Sequence, residues 1–165
     1  MSDINSDHPS YPTMKKFLSL IVLAVAFSSC EDDVSFNDPS VQGEKDNVFW
    51  RASDYRATVA GGSLTVSAFT PYEILTLKTV SSAPGTYILG EDDLNVATYS
   101  IELDGATSTY TTGTDIGDGE ITIDAAQAAG TISGKFKFNA HITTDPLAGL
   151  VVNYQYGVFY RIPLQ

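Results

Sequence analysis

Between Thr131 and Ile142 the chain alternates without a break. Ile132, Gly134, Phe136, Phe138, Ala140 and Ile142 fall on one parity, and Ser133, Lys135, Lys137, Asn139 and His141 on the other. Successive side chains of a strand point to opposite faces, so this pattern is that of a strand with one face buried and one wet. No helical period accommodates it. Whatever surrounds this segment must offer it strand partners on its edges and a core on one side.

Most of the remaining body is consistent with that demand. Leu64, Val66 and Ala68 alternate with Thr65, Ser67 and Phe69, and Ile74 to Val80 is rich in strand formers before the turn cluster Ser81-Ser82-Ala83-Pro84-Gly85. Thr86 to Leu89 ends at Gly90-Glu91-Asp92-Asp93. Ala97, Tyr99, Ile101 and Leu103 share a face before Asp104-Gly105, a strong hairpin pair. Ser108 to Thr112 returns, Asp115 to Gly119 turns, and Ile121 and Ile123 mark another strand. The one helical candidate, Asp124 to Gly130, is too short to stand without packing and reads as a loop. Leu150 to Leu164 has two readings: one long strand, or a hairpin turning at Tyr156-Gly157. Strand length favours the hairpin. Turn signals at roughly 8–12-residue spacing predict a single all-β domain, an antiparallel sandwich or barrel of roughly 8–10 short strands. Without long crossover connections the strands are not parallel.

Ahead of this body lie Met14-Lys15-Lys16, then an apolar run from Phe17 to Phe27, then Ser28-Ser29-Cys30. A basic start, a short apolar stretch and a small-residue site make a secretory signal. The run is well short of the roughly 20 residues that span a bilayer. Phe27-Ser28-Ser29-Cys30 resembles the lipobox of bacterial lipoproteins, which implies cleavage between Ser29 and Cys30 and acylation of Cys30. Acyl chains contribute about 0.8 kcal/mol per buried CH₂, and two or more anchor stably. Residues 1–13 carry two acids and no base, so translation is expected to start at Met14. The expected division is 1–29 signal peptide, 30–46 lipid-anchored acidic tether, and 47–165 antiparallel β domain. Glu31-Asp32-Asp33 resembles the acidic signals that send lipoproteins of Bacteroidota to the cell surface, and reads equally as a solvated spacer.

Charge excludes one class of partner. The chain has 9 basic and 20 acidic residues. Removing Lys15, Lys16, Asp3 and Asp7 with the leader gives 7 − 18 = −11. Such a body repels a phosphate backbone, and no basic stripe offsets this, so nucleic acid is not a partner. Membrane attachment must come from the acyl chains on Cys30 rather than from surface charge.

Phe36-Asn37-Asp38-Pro39, Phe49-Trp50-Arg51-Ala52, Gly85-Thr86-Tyr87, Ile132 to Ala140 and Gly157 to Pro163 occur in an order that resembles small Bacteroidota lipoproteins whose domain has no assigned function. The resemblance implies a periplasmic or surface-exposed lipoprotein of the outer membrane and transfers no catalytic residue.

The residues themselves offer little chemistry. Hydroxyl nucleophiles need a histidine beside them, and the body has only His141, on the polar face of a strand. One cysteine and one histidine cannot build a zinc site, and no cofactor is expected. Asp115-Ile116-Gly117-Asp118-Gly119-Glu120 could offer oxygens to calcium but lacks the loop spacing that calcium motifs use, and reads better as a turn. Most acids sit in turns, where they cap backbone N–H groups. Trp50 is expected to plug one end of the core. Tyr154, Tyr156 and Tyr160 could form an exposed row that stacks on sugars, although core filling is the simpler reading. The expected role is therefore a non-enzymatic, lipid-anchored cell-envelope module. Its candidate partners are a glycan, a small apolar ligand or an envelope protein. The alternatives are a calycin-like carrier, which needs an aromatic-lined cavity, and a hydrolase, which needs two convergent acids, one with a displaced pKa.

Overall fold

The computed structural model describes residues 39–143 and 150–165. The expected leader, Ser29, Cys30 and the acids that follow them lie outside the described residues. The described chain is all-β: β1 (Ser40–Lys45), β2 (Val48–Arg51), β3 (Asp54–Ala60), β4 (Ser63–Phe69), β5 (Glu73–Thr79), β6 (Gly85–Leu89), β7 (Val96–Leu103), β8 (Ala106–Thr111), β9 (Asp118–Ile123), β10 (Thr131–Ile142) and β11 (Val151–Pro163). All strand pairings are antiparallel.

Nine strands follow one another in the order β2-β1-β11-β10-β8-β7-β5-β4-β3 and curl into a half-barrel. β10 is long enough to serve two neighbours on one edge: β9 pairs with residues 134–139 and carries β6 on its far side, while β8 takes the end at His141 and Ile142. The far strand, β3, reaches round to the tail of β11. Ala57 forms a parallel bridge with Leu164, and Gln165 N–H donates to the Ala57 carbonyl at 2.9 Å.

Tight turns set the hairpin registers. Asp104-Gly105 joins β7 to β8 with both residues at positive φ (52° and 78°), as its composition predicts. A Cβ on Gly105 would meet nothing within 4 Å, so Gly105→Ala tests backbone conformation alone. We expect a loss of about 1 kcal/mol in urea unfolding. A loss below a few tenths would mean the turn relaxes freely.

The alternation along β10 holds from Gly134 onward, with Ile132, Phe136, Phe138, Ala140 and Ile142 buried, whereas Ser133, expected on the wet face, is buried too. The segment from Asp124 to Gly130 forms no helix. Two boundaries differ from expectation. β1 begins at Ser40, inside the stretch assigned to the tether, because its inward residues Val41 and Gly43 pack against β2 and β11. The final stretch is not a hairpin: β11 is one strand of 13 residues. It carries two β-bulges, each adding a residue opposite β10, between Phe136 and Phe138 and between Ile132 and Gly134. Tyr156 and Arg161 take positive φ at these points. Each bulge resets the parity, so the inward residues are Val152 and Tyr154, then Gly157 and Phe159, then Ile162. Ser133, buried by β10, accepts the Arg161 N–H at 2.9 Å and holds the second bulge.

Between the strands lies an aromatic core. Tyr154 stacks on Phe138 with centroids 4.9 Å apart, and Trp50 meets Tyr154 edge-on at 5.6 Å. β10 and β11 also exchange rings for glycines. Phe136 lies over Gly157, its register partner, and Phe159 lies over Gly134. The absent side chains make room for the rings, and the rings shield backbone that glycine would leave bare.

Candidate functional site

Inward parity also carries charge. Lys45 ends β1 on the same face as Val41, and Glu73 opens β5 on the same face as Leu75 and Leu77. The curl of the sheet brings them together across the core. Glu73 Oε1 accepts from Lys45 Nζ and from Tyr99 OH at 2.6 Å, and Oε2 accepts from Trp50 Nε1 at 2.7 Å and Thr70 Oγ1 at 3.1 Å. Lys45 also donates to Tyr99 OH at 2.7 Å and lies 4.8 Å from that ring's centroid. Trp50 does close the core at this end, by its ring and by its N–H.

Burial pushes the Glu73 carboxyl up, but the hydrogen bonds from Lys45, Tyr99 and Trp50 and the Lys45 charge outweigh it, leaving the group below its ordinary value. The Tyr99 hydroxyl is driven up by burial and by its bond to Glu73, so it stays protonated and donating. A carboxylate has about four lone-pair sites. Here four donors occupy them. A hydrolytic acid must hold a proton near neutrality, and a base or nucleophile must have a free oxygen; Glu73 satisfies neither. The cluster is a partly buried ion pair with its polar atoms matched.

The interior is likewise taken. Tyr154, Phe138 and Phe159 are fully or almost fully buried where a carrier would keep its ligand. The Tyr154 hydroxyl finds no hydrogen-bond partner among the described residues, and burial drives it up as well. Tyr154 thus belongs to the core, which dissolves the expected row of three tyrosines. Tyr160 is partly buried, with the Arg161 guanidinium 5.3 Å from its centroid. Tyr156 alone stands out, 79% exposed.

Tyr156 rises beside a groove of about 470 Å³ on the outer face of β9, β10 and β11. Lys137 and Glu120 cross it as a register pair with an ion pair at 3.2 Å. A smaller pocket of about 280 Å³ lies at the other end, by Tyr72, Glu73 and Glu102. His141 is exposed, as its parity predicts. Asp118 accepts from Asn139 at 2.8 Å, and no group of three metal-binding side chains occurs among the described residues.

A family model described as a domain of unknown function (DUF6252) matches residues 37–163. The chain belongs to that family. The DUF6252 match takes in all eleven strands and ends with the last residue of β11. No curated protein and no solved structure matches the chain. Within this DUF6252 domain, Lys45 and Glu73 are the residues that reading the sequence misses. The available signal was parity: one cation and one anion, each on the apolar face of its own strand.

Proposed function

We propose that the chain is a lipid-anchored protein of the bacterial cell envelope whose β domain acts by binding rather than by catalysis. The observation that carries the anchoring is the order Lys15-Lys16, an apolar run, then Ser28-Ser29-Cys30, ahead of a domain that starts at Ser40. That leaves only the residues between Cys30 and Ser40 as spacer, so the domain would sit close to the lipid surface. The occupied oxygens of Glu73 and the filled interior support a binding role over a hydrolase or a carrier.

Metabolic labelling with a palmitate analogue, followed by membrane fractionation, tests the anchor. The parent chain should take up label and sediment with membranes. Cys30→Ser should lose all label and accumulate as an uncleaved precursor or in the soluble fraction. Cleaved Cys30→Ser protein held on membranes as firmly as the parent would overturn the proposal. Protease added to intact cells then separates a surface location, suggested by Glu31-Asp32-Asp33, from a periplasmic one.

A further inference from the structure

Building on the reading of this domain as a binding module, we propose that the groove beside Tyr156 binds an acidic oligosaccharide, one sugar ring lying on Tyr156 and its carboxylate or sulfate on Lys135. Three observations converge there. Tyr156 holds φ at 51° and keeps its ring in water. A bulky residue in the left-handed region costs on the order of 1 kcal/mol, which burial of the ring would ordinarily offset. Here burial offsets nothing. The bulge turns Tyr156 outward, where it lines the groove.

The groove's polar groups suit a sugar. Lys135 and Lys137 donate, Glu120 accepts, and the Gln155 amide does both. Val158 supplies apolar surface on the same face. A pyranose offers C–H groups on its faces and hydroxyls at its rim, and needs both kinds of neighbour.

Charge narrows the class. The chain carries −11 overall, yet this groove holds two lysines against one acid. Glu120 is engaged with Lys137, and Lys135 makes no ion pair among the described residues. Its register partners are Val158 and Thr122, which carry no charge. Arg51, Arg56, Lys78 and Arg161 likewise form no ion pair among the described residues; Lys135 differs in lining the same groove as Tyr156, where its charge favours an acidic sugar over a neutral one.

The test uses the full-length chain in detergent, with isothermal titration of tetragalacturonate, a heparin-derived tetrasaccharide and the methyl ester of tetragalacturonate. At least one acidic sugar should bind, and the ester roughly tenfold more weakly than its parent acid. Tyr156→Ala should weaken every bound sugar by roughly tenfold or more, and Tyr156→Phe should bind like the parent. Lys135→Gln should lower acid binding to the level of the ester and leave the ester unchanged. Both positions face outward, so unfolding midpoints should match the parent and show that the variants fold. No binding of either acidic sugar, equal binding of acid and ester, or binding that survives Tyr156→Ala would each overturn the assignment. Any of these leaves the Cys30 labelling result standing, so failure of the ligand class and failure of the anchor are read separately.

Discussion

Replacing Glu73 with alanine should lower folding stability by about 3 kcal/mol, the low end of the range found when one partner of a buried ion pair is removed, because this pair is only partly buried. Lys45 would keep its charge without its anion, and the Trp50 N–H, Tyr99 hydroxyl and Thr70 hydroxyl would lose their acceptor together. Glu73→Gln retains the shape and two polar atoms, and should cost roughly half as much. A Lys45→Met, Glu73→Leu double variant should recover much of the single-variant losses, because both charges leave together. Acid should act through the same group. The folded Glu73 carboxyl lies below its ordinary value near 4.5. A depressed carboxyl contributes stability that is fully present above the unfolded pKa and lost as pH falls through the folded one. Urea midpoints taken from pH 7 to pH 3 should therefore drop on the acid side of about 4.5, and less steeply in Glu73→Gln. An alanine variant within 1 kcal/mol of the parent would show that the cluster adds nothing.

Gly134→Ala should be as damaging, at about 3 kcal/mol, at the upper end of the cost of overpacking. A Cβ there would lie 2.2 Å from the Thr122 carbonyl oxygen and 2.3 Å from Cζ of Phe159. The ring can turn away, but the carbonyl belongs to the β9–β10 ladder and can retreat only if the strands part. Gly157→Ala makes a useful contrast. Its nearest contacts, at 2.5–2.6 Å, are three atoms of the Phe136 ring alone. Its loss should be smaller, and largely absent when added to Phe136→Leu, giving strong non-additivity. Additive losses would mean that the ring does not occupy the glycine's space.

These two sites mark where the sequence speaks and where it falls silent. β10 is legible because its pattern is local: twelve residues, one period, no interruption. Asp104-Gly105 is legible because the turn type demands those residues. β11 is not, since two extra residues shift its parity twice, and neither a hairpin nor a simple strand reproduces Tyr154 inside and Tyr156 outside. Lys45 and Glu73 stand 28 positions apart, and Lys45 and Tyr99 54. Only the curl of the sheet makes neighbours of them. Trp50 is foreseen as a plug, but its hydrogen bond depends on the same curvature. The groove is half legible: Tyr156 appears among the candidate tyrosines, while Lys135 is hidden in plain sight on the wet face of the clearest strand.

β11 comes last among the described strands, yet it joins β1 on one edge, β10 on the other and β3 at its tail. A nascent chain that stops short of Val151 holds a β1-β2 hairpin with no strand ladder to the strands from β3 onward, only the side-chain bonds of Lys45 and Trp50 to Glu73 and Tyr99. Closure of the sheet therefore waits until β11 has been made, and contacts this distant along the chain favour slow assembly, on the millisecond-to-second scale. On the envelope role proposed above, a sheet that closes only with β11 would suit a chain that crosses a membrane before it folds.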